Sequence, residues 1–156
     1  MASSLQNELK KRNPFDLVEQ EAALSIMRTS DLLANRFARL FREHGLTASQ
    51  YNVLRILRGE NRPMPCLEVA DRMIQVAPAI TRVVNQLLKL SLIAKKQCPQ
   101  DRRVFYIELN AAAKRLLKKM DKPLLDLHAS LLSDMPKKDL RTLIRITEKI
   151  RMSAGE

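Results

Sequence analysis

Tryptophan is absent from this chain, which has only three glycines, two cysteines, two histidines and 4% aromatic residues. The scarcity of glycine and aromatics, set against Leu, Ala, Arg and Lys recurring at helical spacing, points to an all-α or α-rich fold. Cys66 and Cys98 lack the paired spacing of a zinc site or a disulfide scaffold, which fits a reducing compartment. His44 and His128 are too few and too far apart to specify a metal. No Gly-rich phosphate loop, metal-ligand spacing or nucleophile motif is present, so an enzyme is the least supported class and no cofactor is expected. No apolar run approaches the length of a membrane span and the first residues are polar, unlike a signal peptide. The expectation is a cytoplasmic protein without a membrane partner.

Acidic residues are also in short supply. Against 28 Lys and Arg stand 17 Asp and Glu, a net charge of +11 and a pI of about 10.1. An acidic partner such as nucleic acid is implied. The length suits one compact unit.

Residues 1–15 are polar and basic and contain Pro14; they read as a loosely ordered arm. Asp16 and Glu19 have the spacing of a capping box, predicting a long helix that runs to His44 and stops at Gly45. Thr47 and Gln50 form a second capping box for a helix through Tyr51, Leu54 and Leu57. Arg62-Pro-Met-Pro65 breaks the chain into a short extended piece, and a further short helix begins at Cys66.

The stretch from Gln75 to Leu90 carries the argument for function. Ile80, Val83, Val84, Leu87 and Leu88 share one helix face, suited to a core. Pro78, Thr81, Arg82, Asn85 and Lys89 share the opposite face, near the helix start. Arg grips guanine bidentately, Asn does the same for adenine, and the Thr methyl can touch a thymine methyl. Two strands follow, residues 92–97 and 104–109, joined by a turn holding Asp101, Arg102 and Arg103; they predict a β-hairpin. Asn110 then caps a helix with a bend expected at Lys122-Pro123, and a last helix starts near Pro136. Two short helices, a tight turn and a basic hairpin make a winged helix-turn-helix, and its positive residues from Gln75 to Arg103 form the footprint of phosphate binding.

At Leu46-Thr47-Ala-Ser-Gln50-Tyr-Asn-Val-Leu54, Val69-Ala70, Thr81-Arg82 and the wing Asp101-Arg102-Arg103 the chain resembles the MarR family of bacterial transcriptional regulators over about residues 20–150. The resemblance implies a homodimer on a palindromic stretch of double-stranded DNA. Residues 16–45 and 111–156 would form the dimerisation helices and residues 46–110 the DNA-binding domain. Gln75, Pro78, Thr81, Arg82, Asn85 and Lys89 would meet the operator with the wing. There Arg103 would enter the minor groove, its guanidinium oriented by Asp101, and Arg102 would meet phosphate. The chain departs from the family's pattern at Ser91, where many members have glycine, at Asn110 in place of threonine, and at Ala77-Pro78.

Family members commonly leave DNA when a small phenolic or aromatic anion binds, or when a cysteine is oxidised. Arg36, His44, Tyr51 and Arg55, on the first two long helices, could offer charge or hydrogen bonds to such an effector. For oxidation, Cys98 is expected to be exposed in the wing and Cys66, near a helix start, to have a lowered pKa. The leading reading is a sequence-specific regulator, most often a repressor. A non-specific architectural DNA binder and a winged-helix protein-interaction module are the alternatives.

Overall fold

The computed structural model describes residues 4–75 and 79–155. The predicted arm is in part helical: α1 spans Ser4–Glu8, and Leu5 and Gln6 are buried. Gln6 Nε2 donates to the carbonyl of Lys11 at 3.2 Å, and the Lys11 ammonium lies 5.4 Å from the Phe15 ring centroid. Local polar contacts that composition does not reveal thus order a segment expected to be loose.

The long helix α2 spans Val18–Glu43 and starts later than the Asp16–Glu19 box predicted. Leu17 occupies its N-cap without a side-chain cap, and the amide of Asp16 donates instead to Gln20 Oε1 at 3.1 Å. Its end matches expectation. Gly45, at φ +74°, donates to Arg42 O and Leu46 N donates to Phe41 O, both at 3.0 Å, closing a Schellman motif with Phe41 and Leu46 in the core.

Helix α3 spans Ala48–Glu60 under the predicted capping box: Gln50 N donates to the Thr47 hydroxyl and Thr47 N to Gln50 Oε1. Strand β1, Met64–Pro65, leads into α4, Cys66–Asp71, and α5 spans Ile80–Lys89. The hairpin consists of β2, Ile93–Gln97, and β3, Phe105–Leu109, paired antiparallel with Lys95 opposite Ile107. The sequence reading missed one pairing: β1 adds to β3, Met64 opposite Ile107, so the sheet has the order β1-β3-β2. A two-residue strand containing a proline has too little pattern to be read locally; it exists because its partner's edge is available. Helix α6, Ala111–Leu131, begins under Asn110, whose side chain accepts from Ala113 N at 3.1 Å, and continues through Pro123. Helix α7 spans Lys137–Ala154 after Pro136.

One core fills the space between α3, α5, the sheet and the first half of α6. Val53, Leu54, Met64, Val69, Leu87, Ile107, Ala113, Leu117 and Met120 are sealed from solvent. No described residue of α7 is buried. Among the described residues, no helix is long and apolar enough to cross a membrane.

Candidate nucleic-acid interface and effector pocket

On α5 the amphipathic pattern becomes geometry. Val83, Val84 and Leu87 are buried, whereas Thr81, Arg82, Asn85 and Lys89 are all exposed. Between the two faces, Gln86 Oε1 accepts from Gln50 Nε2 at 3.2 Å, so one side chain on α3 both caps its own helix and fixes the roll of α5. Neither Arg82 nor Lys89 has an ion pair among the described residues, and their charge is available to a ligand.

Two further residues, Gln75 and Pro78, were expected to meet the operator with this face. Gln75 precedes α5 and is not on its outer face: its Oε1 accepts from the Ser49 hydroxyl at 3.3 Å, at the start of α3. Pro78 lies, with Val76 and Ala77, outside the described residues.

The wing is wound tightly at its tip. Asp101 Oδ1 accepts from the backbone amide of Arg103 at 2.9 Å, Asp101 O accepts from Val104 N at 3.0 Å, and Gln97 Nε2 donates to Arg102 O at 2.7 Å. Asp101 therefore holds the backbone of the turn rather than the Arg103 guanidinium, correcting the expectation that it orients that side chain. A short carboxylate two residues away reaches an amide more easily than the end of its neighbour's long side chain. Arg102 and Arg103 are exposed and, among the described residues, without an ion pair. Within the hairpin Lys96 is bound to Glu108 at 3.0 Å and Lys95 sits 4.2 Å from the Phe105 ring centroid, so the hairpin cations left without such a partner among the described residues are those at its tip. Ser91, where the hairpin begins, does adopt the left-handed conformation usually given to glycine, φ 54°, and its carbonyl accepts from the Asn110 side chain.

Behind the reading face lies a cavity of about 270 Å³ between α2, α3 and α6. An aromatic wall lines it: Phe41 stacks on Tyr51 at 4.4 Å, Phe37 stands 6.4 Å from Phe41, and His128 lies 4.6 Å from Phe37. Half of the chain's Phe and Tyr residues thus converge here. Arg55 marks its polar side, donating to Asn52 Oδ1 at 2.8 and 3.3 Å. Burial pushes the Tyr51 phenol up against the opposing pull of Arg58 and Arg55, so it remains a hydrogen-bond donor at neutral pH.

Of the four effector residues proposed from sequence, Tyr51 and Arg55 line this cavity. Arg36 does not: it is on the far side of α2, beside Arg39, Leu40 and Pro123. Nor does His44, whose Nδ1 is 3.0 Å from the Leu40 carbonyl of its own helix end. Phe37, Asn52 and His128 were overlooked. The i, i+4 pair Phe37 and Phe41, in a chain so poor in aromatics, was the available signal. Ile74 and Gln75 also border the cavity.

The cysteines reverse both expectations. Cys98 is buried, its Sγ donating to Gln100 Oε1 at 3.2 Å. Cys66 has its thiol pushed up by burial despite the nearby positive charge of Lys95, where a helix start had suggested a lowered value.

Comparison with known proteins agrees with this geometry. The MarR family model matches residues 46–105, from the turn after α2 to the start of β3. A MarR transcription factor of Planctomyces limnophilus is 36% identical, with a TM-score of 0.68 over 86% of this chain and 98% of the other. More distant likenesses of fold include S. aureus MepR solved in complex with DNA, 15% identical, TM-score 0.75, covering 84% and 96% of the two chains. Another is BpsR of Bordetella bronchiseptica, whose DNA binding is regulated by 6-hydroxynicotinic acid, 18% identical, TM-score 0.74, covering 83% and 98%. The winged helix-turn-helix, its exposed basic face and this shared identity along the chain have one explanation: the protein belongs to the MarR family of DNA-binding transcriptional regulators.

Proposed function

We propose that this regulator is a homodimeric repressor that reads a palindromic operator and releases it when a small aromatic or phenolic acid enters the cavity between α2, α3 and α6. The observation that carries the DNA reading is the coincidence of two unpaired cationic sets, Arg82 and Lys89 on α5 and Arg102 and Arg103 at the wing tip. Thr81, Arg82 and Asn85 are assigned to base edges in the major groove, Arg103 to the minor groove and Arg102 and Lys89 to phosphates.

Dimerisation is supported by unfinished burial. Leu143, Ile144, Ile146, Ile150 and Met152 on α7 and Ile26, Met27 and Leu32 on α2 are exposed, which is a large apolar surface for a chain this size. A two-fold dimer would place two copies of α5 about 34 Å apart, one helical turn of DNA. For the effector, the aromatic wall suits a flat ring and Arg55 a carboxylate, and the regulation of the BpsR likeness by 6-hydroxynicotinic acid is of the same chemical class.

The test is selection of bound duplexes from a random pool at fixed salt, followed by titration of the enriched duplex with a panel of aromatic acids. An inverted repeat should emerge, and at least one acid should weaken binding. A pool with no enriched pattern favours an architectural binder, and no retention of DNA even at low salt favours a protein-interaction module.

A further inference from the structure

Helix α6 carries a second cationic surface that the operator contacts do not use. Ala113, Leu117 and Met120 are buried and Leu116 and Leu124 pack beside them, which fixes the face of α6 turned to α2 and α3. At about 100° per residue, Lys114, Arg115, Lys118, Lys119 and Lys122 then fall on the opposite half of the helix. All five are exposed. Lys122 is paired with Asp126 at 2.6 Å, but Lys114, Arg115, Lys118 and Lys119 have no ion pair among the described residues. Asp121, the lone acid within the run, is bound to Arg58 at 2.8 Å. The surface is also remote from the wing tip. Strand β3 carries the chain away from residues 101–103, and α6 starts only after it, about 17 Å behind the tip.

We propose that the outer face of α6 is a sequence-independent DNA-binding surface that holds the phosphate backbone of a second duplex segment, allowing one dimer to tether its operator to other DNA. This rests on the reading of α5 and the wing as the operator face. Lys114, Lys118 and Lys122 recur every 6 Å or so along the helix, with Arg115 and Lys119 in the adjoining row, a continuous positive strip facing a continuous line of phosphates. Four of the five are lysines, flexible point charges that meet phosphate without reading bases, unlike the Thr, Arg and Asn of α5. The same composition argues against a protein partner, since interfaces are depleted in lysine and anchored by aromatic residues. It argues against a membrane as well: apart from the exposed Leu125, the apolar stripe that an interfacial helix would insert is here turned to the core.

The experiment measures binding of a short random-sequence duplex to the full chain across a salt series, together with capture of a second, differently labelled duplex. Three proteins are compared: wild type, a reading-face variant (Arg82→Ala with Arg103→Ala), and a strip variant (Lys114→Gln, Arg115→Gln, Lys118→Gln and Lys119→Gln). Thermal melts confirm that each is folded. The reading-face variant should keep measurable duplex binding with a steep salt dependence. The strip variant should lose second-duplex capture at least tenfold, with a salt slope lowered by about 3 to 4, while its affinity for a selected operator stays within twofold. The proposal is overturned if wild type captures no second duplex, if the strip variant captures it equally well, or if the reading-face variant loses all duplex binding. It is equally overturned if the strip substitutions abolish binding to phosphatidylserine vesicles and not to DNA. Failure of the functional reading looks different: no duplex would be enriched by selection, and the reading-face substitutions would change nothing.

Discussion

Gln50 illustrates how much one residue of this protein does. Buried to 7% exposure, it accepts from Thr47 N and donates to Gln86 on α5, so its amide group is used at both ends. Gln50→Leu keeps the volume but removes two hydrogen bonds, each contributing about 0.5–1.5 kcal/mol, and should destabilise the fold by about 1–3 kcal/mol. Because α5 also loses its roll constraint, operator affinity should fall even at temperatures where the variant is fully folded; denaturant melts paired with anisotropy titrations check both effects. At the wing, Arg103→Ala should cost about 1–3 kcal/mol of operator binding with thermal stability unchanged, since the side chain touches nothing that holds the turn. Unaltered affinity in a mobility-shift titration would remove Arg103 from the interface. For Cys66, a raised thiol pKa means less thiolate at any given pH, so alkylation by iodoacetamide between pH 7 and 9 should be slower in the folded chain than in denaturant. The sign for stability follows: what the protonated thiol contributes is complete below the ordinary thiol range and is lost as pH rises through the higher folded value. Equal alkylation rates in the two states would contradict the burial of this thiol.

Among the elements, the hairpin is under the most local constraint. Ser91 at φ 54° forces a Cβ-bearing residue into the left-handed region, and the Asn110 side chain ties its carbonyl to the start of α6. Ser91→Gly should therefore raise stability, by up to about 1 kcal/mol once the greater freedom of glycine in the unfolded chain is set against the relieved strain. A fall in melting temperature would show that the serine side chain contributes more than its backbone costs. Element by element, most of this architecture was legible beforehand. The Thr47 box, the Gly45 stop, the α5 pattern, the hairpin and the Asn110 cap are each decided by residues within a few positions of one another. The failures were equally local in appearance: Asp16 and Glu19 have the spacing of a cap, yet Gln20 closes the turn.

For the whole molecule, α7 is the part that a single chain leaves incomplete. Its apolar residues at 143, 144, 146, 150 and 152 remain exposed, although 143, 146 and 150 recur at core spacing. Leu143→Asp should shift the protein from dimer to monomer in sedimentation at micromolar concentration and weaken operator binding by an order of magnitude or more, because each half-site would then bind alone. Persistence of the dimer would place the interface elsewhere on the chain.

The sequence by itself determined the stop of α2 at Gly45, the capped starts of α3 and α6, the polar outer face of α5, the basic tip of the wing and the family, because each depends on residue type and short spacing. Only the tertiary structure decided what meets across the fold. It gathered Phe37, Phe41, Tyr51, Asn52, Arg55 and His128 from three helices around one cavity and left Arg36 and His44 outside it. It added Met64 and Pro65 to the sheet and joined Gln75 to Ser49. It also buried the two cysteines at least in part, reversing the expected shift at Cys66. The physical reason is common to all of these: burial, pKa and long-range pairing are properties of neighbours brought together by packing, and no local pattern encodes who those neighbours are.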